Sequence, residues 1–455
     1  MIGIKRRCSS RCSAFLTRRD RGGGRPSTGA WRHALQRCRG LTNRASEGDN
    51  HNTCKRYLRN GTREEGETIA KPDKVLSKLQ EVADRRSILG LSCAYLIRGR
   101  VVWKGSLGLA DLERRIPVTE RTVFRIASIS KTIGAAAILQ LAERGQCSLD
   151  DDAGRLLGLP LRHPQHPEQP IRLRHLLTHT SGLQDEYAAF AAASRQEPLL
   201  PLSELLLPGG AYHPPRLWGE HPPGDPAGYA YSNLGAIVLA TIVERLSGER
   251  FDRYCRKQLL LPLGMSDSSF LLQDIEDPDR IAVLYERERG SGSWTPALDD
   301  RGSRHEPPSA ALRDYVPGVN GSLFAPQGGL RTTVADLSRW LEMLAAGGER
   351  GGVRLLRERT VRDMMDKHWF RDPQEGFYRE GGLQLQRTRD LFPGRLMVGH
   401  AGDAYGLKSG MFVEPETGTG FVYAMNGLDD AKDGYVFTAA ETELAQAMTD
   451  IFRKR

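Results

Sequence analysis

The sequence predicts an α/β (α+β) fold, an antiparallel sheet flanked by helices and joined to a mostly helical subdomain. Two observations carry this. Strand-like runs gather near the two ends of the folded part, and the stretch from about Leu139 to Phe270 is mostly helical segments broken by prolines. Both ends then join one sheet, and a groove runs between that sheet and the helical part, about residues 139–270.

Taken in order, Val75, Leu79, Val82 and Ala83 share one face of a helix that starts after Lys71 and ends before Gly90. Leu91–Leu96 and Arg100–Leu109 follow as two strands turning at Gly99. Val123–Ile126 is strand-like, and it leads into the helical run Ile133–Arg144. Leu234–Leu246 is apolar and helical. Near the far end, Arg395–Val398, Ser409–Val413 and Gly420–Met425 give three more strands, followed by an amphipathic helix from about Thr438 to Phe452.

Composition bounds the function. The 455 residues are 39% hydrophobic, enough for a large core. The net charge of +9 resides at one end, because residues 1–66 carry 16 Lys and Arg against 5 Asp and Glu. The rest is slightly acidic, and no helix-turn-helix, finger or aromatic-plus-basic strand pattern suggests nucleic acid as a partner. Residues 1–66, rich in Arg, Ser and Gly and without a sustained period, are expected to be a disordered basic tail, leaving residues 67–455 as the folded domain. The tail fits a transit-type address, an interaction segment or a translated stretch upstream of the true start. Four of the seven cysteines (Cys8, Cys12, Cys38, Cys54) lie in it, which argues against a disulfide framework and for reduced thiols, with a cytoplasmic location as the default and an organelle as the alternative. Cys8 and Cys12 lack the second Cys or His pair of a zinc site, so no metal or cofactor is expected. No apolar run approaches a membrane span, and arginines hem in Ala14, Phe15 and Leu16 where a secretory signal would need an apolar stretch.

The chemistry-bearing signal is Ser128-Ile129-Ser130-Lys131. A Ser and a Lys three apart at the start of a helix share a face, the helix N-terminus favours oxyanion character at the serine, and a desolvated lysine can accept a proton. This is the only lysine in the chain with a serine three residues before it. The pair alone also suits an N-cap serine followed by a solvated lysine. Tyr231-Ser232-Asn233 is the second element: a tyrosine can shuttle a proton, and a carboxamide two residues on can hold a lysine and a substrate amide. Alone, it equally suits a loop tyrosine before a helix.

Together the motifs resemble a family. Phe124–Lys131, Leu176-Leu177-Thr178-His179-Thr180-Ser181-Gly182-Leu183, Tyr231-Ser232-Asn233, Gln327-Gly328-Gly329-Leu330 and Gly399-His400-Ala401-Gly402 follow the order of the class C β-lactamase-like serine hydrolases. That family includes β-lactamases, D-peptidases, carboxylesterases and a mitochondrial β-lactamase-like protein, and the similarity covers about residues 73–453. The resemblance implies a β-lactamase or penicillin-binding-protein-like fold. It implies Ser128 as nucleophile, Lys131 and Tyr231 as acid/base pair with the base unassigned, and Asn233 as anchor for substrate and lysine. It also implies an oxyanion hole from the N–H groups of Ser128 and Asp403. The family's third motif, usually Lys-Thr-Gly, is absent. His400-Ala401-Gly402 occupies its place after the strand Arg395–Val398, in preference to Lys408-Ser409-Gly410, which begins the return strand. His400 would be mostly neutral at pH 7 unless Asp403 raises its pKa. His175 and His179 have helical metal spacing, but no Glu follows His175 and Thr180-Ser181-Gly182 ends the helix, so they read as structural or turn-capping; His163 and His166 read as loop.

The function implied is hydrolysis of a small ester, amide or short D-peptide through an acyl-enzyme. The alternatives are β-lactamase or DD-peptidase activity proper, a catalytically idle interaction or assembly protein on the same fold, and, more distantly, a metal-dependent hydrolase. Deleting residues 1–66 is expected to change solubility or location and to leave kcat and KM of the hydrolase as they were, because the segment has no period with which to pack. Loss of the cooperative thermal melt on truncation would contradict this.

Overall fold

The computed structural model describes residues 72–186, 189, 199–288, 291–300, 309–371, 379–428 and 437–452. The segment 1–66, with Cys8, Cys12, Cys38 and Cys54, lies outside the described residues. Residues Ile69–Arg455 make one compact unit.

The elements that position the site are, in chain order, α1 (Pro72–Arg86), β1 (Gly90–Ile97), β2 (Arg100–Asp111), β3 (Ile116–Pro117), α2 (Ser130–Glu143), α3 (Asn233–Ser247) and α4 (Val334–Ala345). Then come β4 (Trp369–Phe370), β5 (Glu380–Gly381), β6 (Gln386–Thr388), β7 (Met397–Ala404), β8 (Leu407–Val413), β9 (Gly420–Asn426) and α5 (Ala439–Phe452). One nine-stranded sheet runs β4-β5-β6-β7-β8-β9-β1-β2-β3, with antiparallel neighbours throughout. Strands from both ends of the folded unit therefore meet at β9–β1, where Gly90 pairs with Asn426 and Leu96 with Gly420.

Side chains alternate between two cores, as period-two strands buried on both faces require. Leu91, Cys93 and Tyr95 of β1, with Phe421, Tyr423 and Met425 of β9, pack against Val75, Leu79 and Val82 of α1 and Leu444 and Met448 of α5. The four residues expected on one face of α1 are its buried ones. Ala94 and Leu96, with Val422 and Ala424, face the opposite way onto Leu337, Trp340 and Leu341 of α4 and the α2–α3 pair. Every residue of α2 from Ser130 to Leu141 is buried, so it is a central helix rather than an amphipathic one.

Two boundaries differ from the sequence reading in ways that matter. The strand expected to stop at Val398 runs on to Ala404, carrying His400, Gly402 and Asp403 within β7 rather than after it. The cause is the turn: Tyr405 (φ 56) and Gly406 (φ 74) both take left-handed conformations, the two-residue hairpin geometry that matches strand twist and keeps pairing up to Ala404–Leu407. The run Val123–Ile126 contributes only Phe124–Arg125, which pairs with Arg331–Thr332 outside the main sheet. Among the described residues, no helix is long and apolar enough to cross a membrane, and no group of His, Cys, Asp and Glu is placed to hold a metal ion.

Candidate active site

Ser128 lies not in the first turn of α2 but in a single 3-10 turn, Ala127–Ile129, just before it. Ala127 takes φ 50, a strained conformation for a residue with a side chain. Neighbouring bonds hold it there: Ser130 Oγ donates to the Ala127 carbonyl at 2.6 Å and accepts from Leu330 N–H at 3.0 Å, and Ile126 N–H donates to the Leu330 carbonyl at 3.0 Å. The Gln327–Leu330 motif thus braces the serine turn.

Lys131, one turn on, is 1% exposed. Its Nζ reaches three oxygens: Ser128 Oγ at 3.0 Å, Asn233 Oδ1 at 2.7 Å and the Gln327 carbonyl at 2.7 Å. Burial pushes its pKa down to about 7, partly opposed by the Asp185 carboxylate. The solvated lysine of the alternative reading is therefore excluded. The Nζ also lies 4.8 Å from the centre of the Tyr231 ring.

Tyr231 and Asn233 arrive from the helical part. His179, at φ 58, clamps the tyrosine segment from both sides: its carbonyl accepts from Ala230 N–H at 2.9 Å, and its Nδ1 accepts from Ser232 N–H at 3.1 Å. Its ring lies 4.5 Å from the Tyr231 ring. Burial and the neighbouring Lys131 hold His179 well below the usual histidine pKa, which keeps it neutral and Nδ1 an acceptor. His175 Nδ1 accepts from Arg172 N–H at 3.2 Å in a helix that ends at Leu177, so the two histidines share no helix and no metal geometry.

Asp185 escaped the sequence reading. Its carboxylate accepts from the N–H groups of Asn233 (2.8 Å) and Leu234 (3.0 Å), from Asn233 Nδ2 (2.8 Å) and from Ser232 Oγ (3.2 Å). It caps α3 and fixes the amide flip of Asn233, turning Oδ1 toward Lys131. Arg125 was missed too. Its Nε donates to the Gly328 carbonyl at 3.2 Å, next to the Gln327 carbonyl that Lys131 uses, and its guanidinium lies 3.7 Å from Asp300, which is also bonded to Arg331 at 3.0 and 3.1 Å. Arg125 lies within the Phe124–Lys131 motif without a role having been read for it, and Asp185 lies in none of the motifs.

The third side of the site is the β7 edge. His400 is 1% exposed, with its ring centre 6.1 Å from that of Tyr231. Burial and then Lys131 push its pKa down to about 3. The expectation that Asp403 could raise it is overturned: Asp403 pairs instead with Lys408 at 2.7 Å. His400 Nδ1 lies 2.6 Å from the Ala401 carbonyl, which can only accept, so the proton is on Nδ1 and Nε2 is an acceptor. Gly402 fits against the serine turn, where an added Cβ would lie 2.3 Å from the Ile126 carbonyl oxygen. Ala404–Leu407, flanking the two-residue turn, is a hydrogen-bonded pair, so the N–H of Asp403 faces away from β8, on the side where strand pairing with β6 stops at Gly399.

A buried, near-neutral amine on a serine hydroxyl is a base on a nucleophile, with an aromatic hydroxyl-bearing residue and a strand-edge N–H beside it. Known proteins share the arrangement's frame. The Beta-lactamase family model matches residues 74–445. A penicillin-binding protein of Bacillus subtilis (strain 168) is 30% identical over 190 residues, 40% of this chain and 38% of that protein. Esterase EstB of Burkholderia gladioli is 32% identical over 214 residues, 45% of this chain and 52% of the esterase. The chain thus spans about half or less of these relatives' lengths. The octameric penicillin-binding protein homologue from Pyrococcus abyssi superposes with a TM-score of 0.63 at 26% identity, covering 84% of this chain and 78% of its own.

The contact at Gly402 gives a direct test of the site's geometry. Gly402→Ala must push β7 away from the serine turn, at an expected cost of about 1–3 kcal/mol in chemical denaturation. Unchanged stability would contradict the close approach.

Proposed function

The chain belongs to the Beta-lactamase family, and we propose that it is a serine hydrolase that forms an acyl-enzyme on Ser128 and releases acid from esters or short amides. The observation that carries the reading is the 3.0 Å contact between Ser128 Oγ and a buried amine whose pKa lies near 7. Above that pH the amine is neutral and can take the hydroxyl proton as Oγ attacks the carbonyl. We assign Lys131 as the base, because its Nζ contacts Ser128 Oγ directly. The N–H groups of Ser128 and Asp403 receive the oxyanion. Tyr231 passes the proton to the departing alcohol or amine, and water then attacks the ester on Ser128 with the same groups working in reverse.

Asn233 holds Lys131 and the acyl side of the substrate, and Asp185 and His179 are positioning residues, fixing Asn233 and Tyr231. An idle binding protein has no use for a desolvated lysine aimed at a serine, an arrangement whose burial costs stability.

Two measurements test the assignment. kcat/KM for a short-chain aryl ester should rise with pH through about 7, because Lys131 has to lose its proton and its pKa is pushed down to about 7; Ser128→Ala should abolish the acylation burst at every pH. A profile that is flat or falls through that range, or a burst in Ser128→Ala, would contradict it.

The charge at His400 sets the second expectation. With its pKa pushed down to about 3, the imidazole carries no positive charge for a β-lactam carboxylate. A chromogenic cephalosporin should therefore give a lower kcat/KM than the ester, and His400→Lys should shift the ratio toward the cephalosporin. A wild-type rate on the cephalosporin equal to that on the ester would contradict it.

A further inference from the structure

A narrow cleft opens beside Tyr231 and His400, and its other walls include His179, Tyr229, Trp369, Glu380 and Gln386. A second lies on the Asn233 side among Asp185, Leu205, Pro214 and Leu217. The departing group has to sit beside the residue that protonates it. Tyr231 borders only the first of these two clefts, so the first takes the leaving group and the second adjoins the acyl side.

The chemistry of the first cleft is specific. Tyr229 and Trp369 stack on each other, with ring centres 4.1 Å apart and inclined by 31°, and they line the cleft with aromatic surface that suits a flat group. His179 and His400 are both held neutral by burial. Among the described residues that line the cleft, the one formal charge is the Glu380 carboxylate, 3.8 Å from Arg387, and the Arg371 guanidinium lies behind the lining, 5.7 Å from the Tyr229 ring centre. Gln386, 7% exposed at the start of β6, uses Oε1 to accept from Ala401 N–H at 3.1 Å. Its Nε2 is buried and has no hydrogen-bond partner among the described residues. A buried donor left unmade is costly, and a ligand acceptor would relieve that cost.

Resting on the serine hydrolase reading, we propose that this cleft selects a flat, uncharged leaving group that carries a hydrogen-bond acceptor, with Gln386 Nε2 as the specificity-determining donor. An anionic leaving group meets Glu380 and two neutral imidazoles, and an aliphatic one leaves the donor unpaired.

The test holds the acyl group constant and varies the phenol at matched acidity. Acetate esters of 4-acetamidophenol, 4-ethylphenol and 4-(carboxymethyl)phenol supply the acceptor, the alkyl control and the anion. In the wild type, kcat/KM for the acetamido ester should exceed that of the ethyl ester by about tenfold, the scale of one buried hydrogen bond, with the carboxymethyl ester slowest. Gln386→Glu keeps the oxygen that receives Ala401 N–H and removes the donor, so the acetamido-to-ethyl ratio should fall to about one. If that variant does not fold, the wild-type series still decides. A wild-type ratio of one or less, a ratio retained in Gln386→Glu, or a fastest carboxymethyl ester would each overturn the assignment. Intact mass separates the two levels: an acylated protein with a flat series refutes the pocket, and a protein never acylated by any ester refutes the hydrolase reading and the pocket with it.

Discussion

One amine kept away from water organises this molecule. Lys131 sits on a helix buried along most of its length, and its Nζ is surrounded by three oxygens, none of them a carboxylate in direct contact. A carboxylate bonded directly to it would hold the lysine charged and useless as a base. Asp185 instead acts one bond removed, through Asn233. The distance leaves burial as the larger effect on the pKa, so the amine stays near neutrality.

The same constraint explains why the site needs parts from both halves of the fold. The serine turn and Lys131 come from the segment entering α2, Asn233 and Tyr231 from the entry to α3, and the oxyanion edge from β7. Each part is fixed by bonds that do not touch the reacting atoms. Ser130 and Leu330 hold the strained Ala127, His179 grips the tyrosine segment, Arg125 fixes the Gly328 carbonyl, and the missing side chain of Gly402 lets β7 close on the turn. Such supporting contacts set rates as firmly as the reacting groups do, because preorganised geometry is what lowers the barrier.

Much of this was legible in the sequence, and the reasons divide cleanly. Periodicity located the buried face of α1, because Val75, Leu79, Val82 and Ala83 had a single helical face to occupy. Local motifs singled out Ser128, Lys131, Tyr231, Asn233 and His400, and the fold brings them together around the Lys131 amine. The extent of β7 was not legible, since His400-Ala401-Gly402-Asp403 has turn-like composition and its strand character comes from pairing with β8. Asp185 and His179 were not assigned to the site because their partners lie 48 and 53 residues away, where one sequence carries no period or spacing to connect them. The Asp403–Lys408 pair was missed for a related reason: cross-strand register, not sequence order, decided which charge Asp403 meets.

The account stands on the protonation state of Lys131, and that state can be observed without any substrate. The protein labelled with ¹³Cε-lysine would be titrated by NMR, with the Lys131 resonance identified by its loss in Lys131→Met. A midpoint near 7 is the expected result. A midpoint near the ordinary lysine value of about 10.4 would mean that the amine is charged at neutral pH, and the account of Ser128 activation would be wrong.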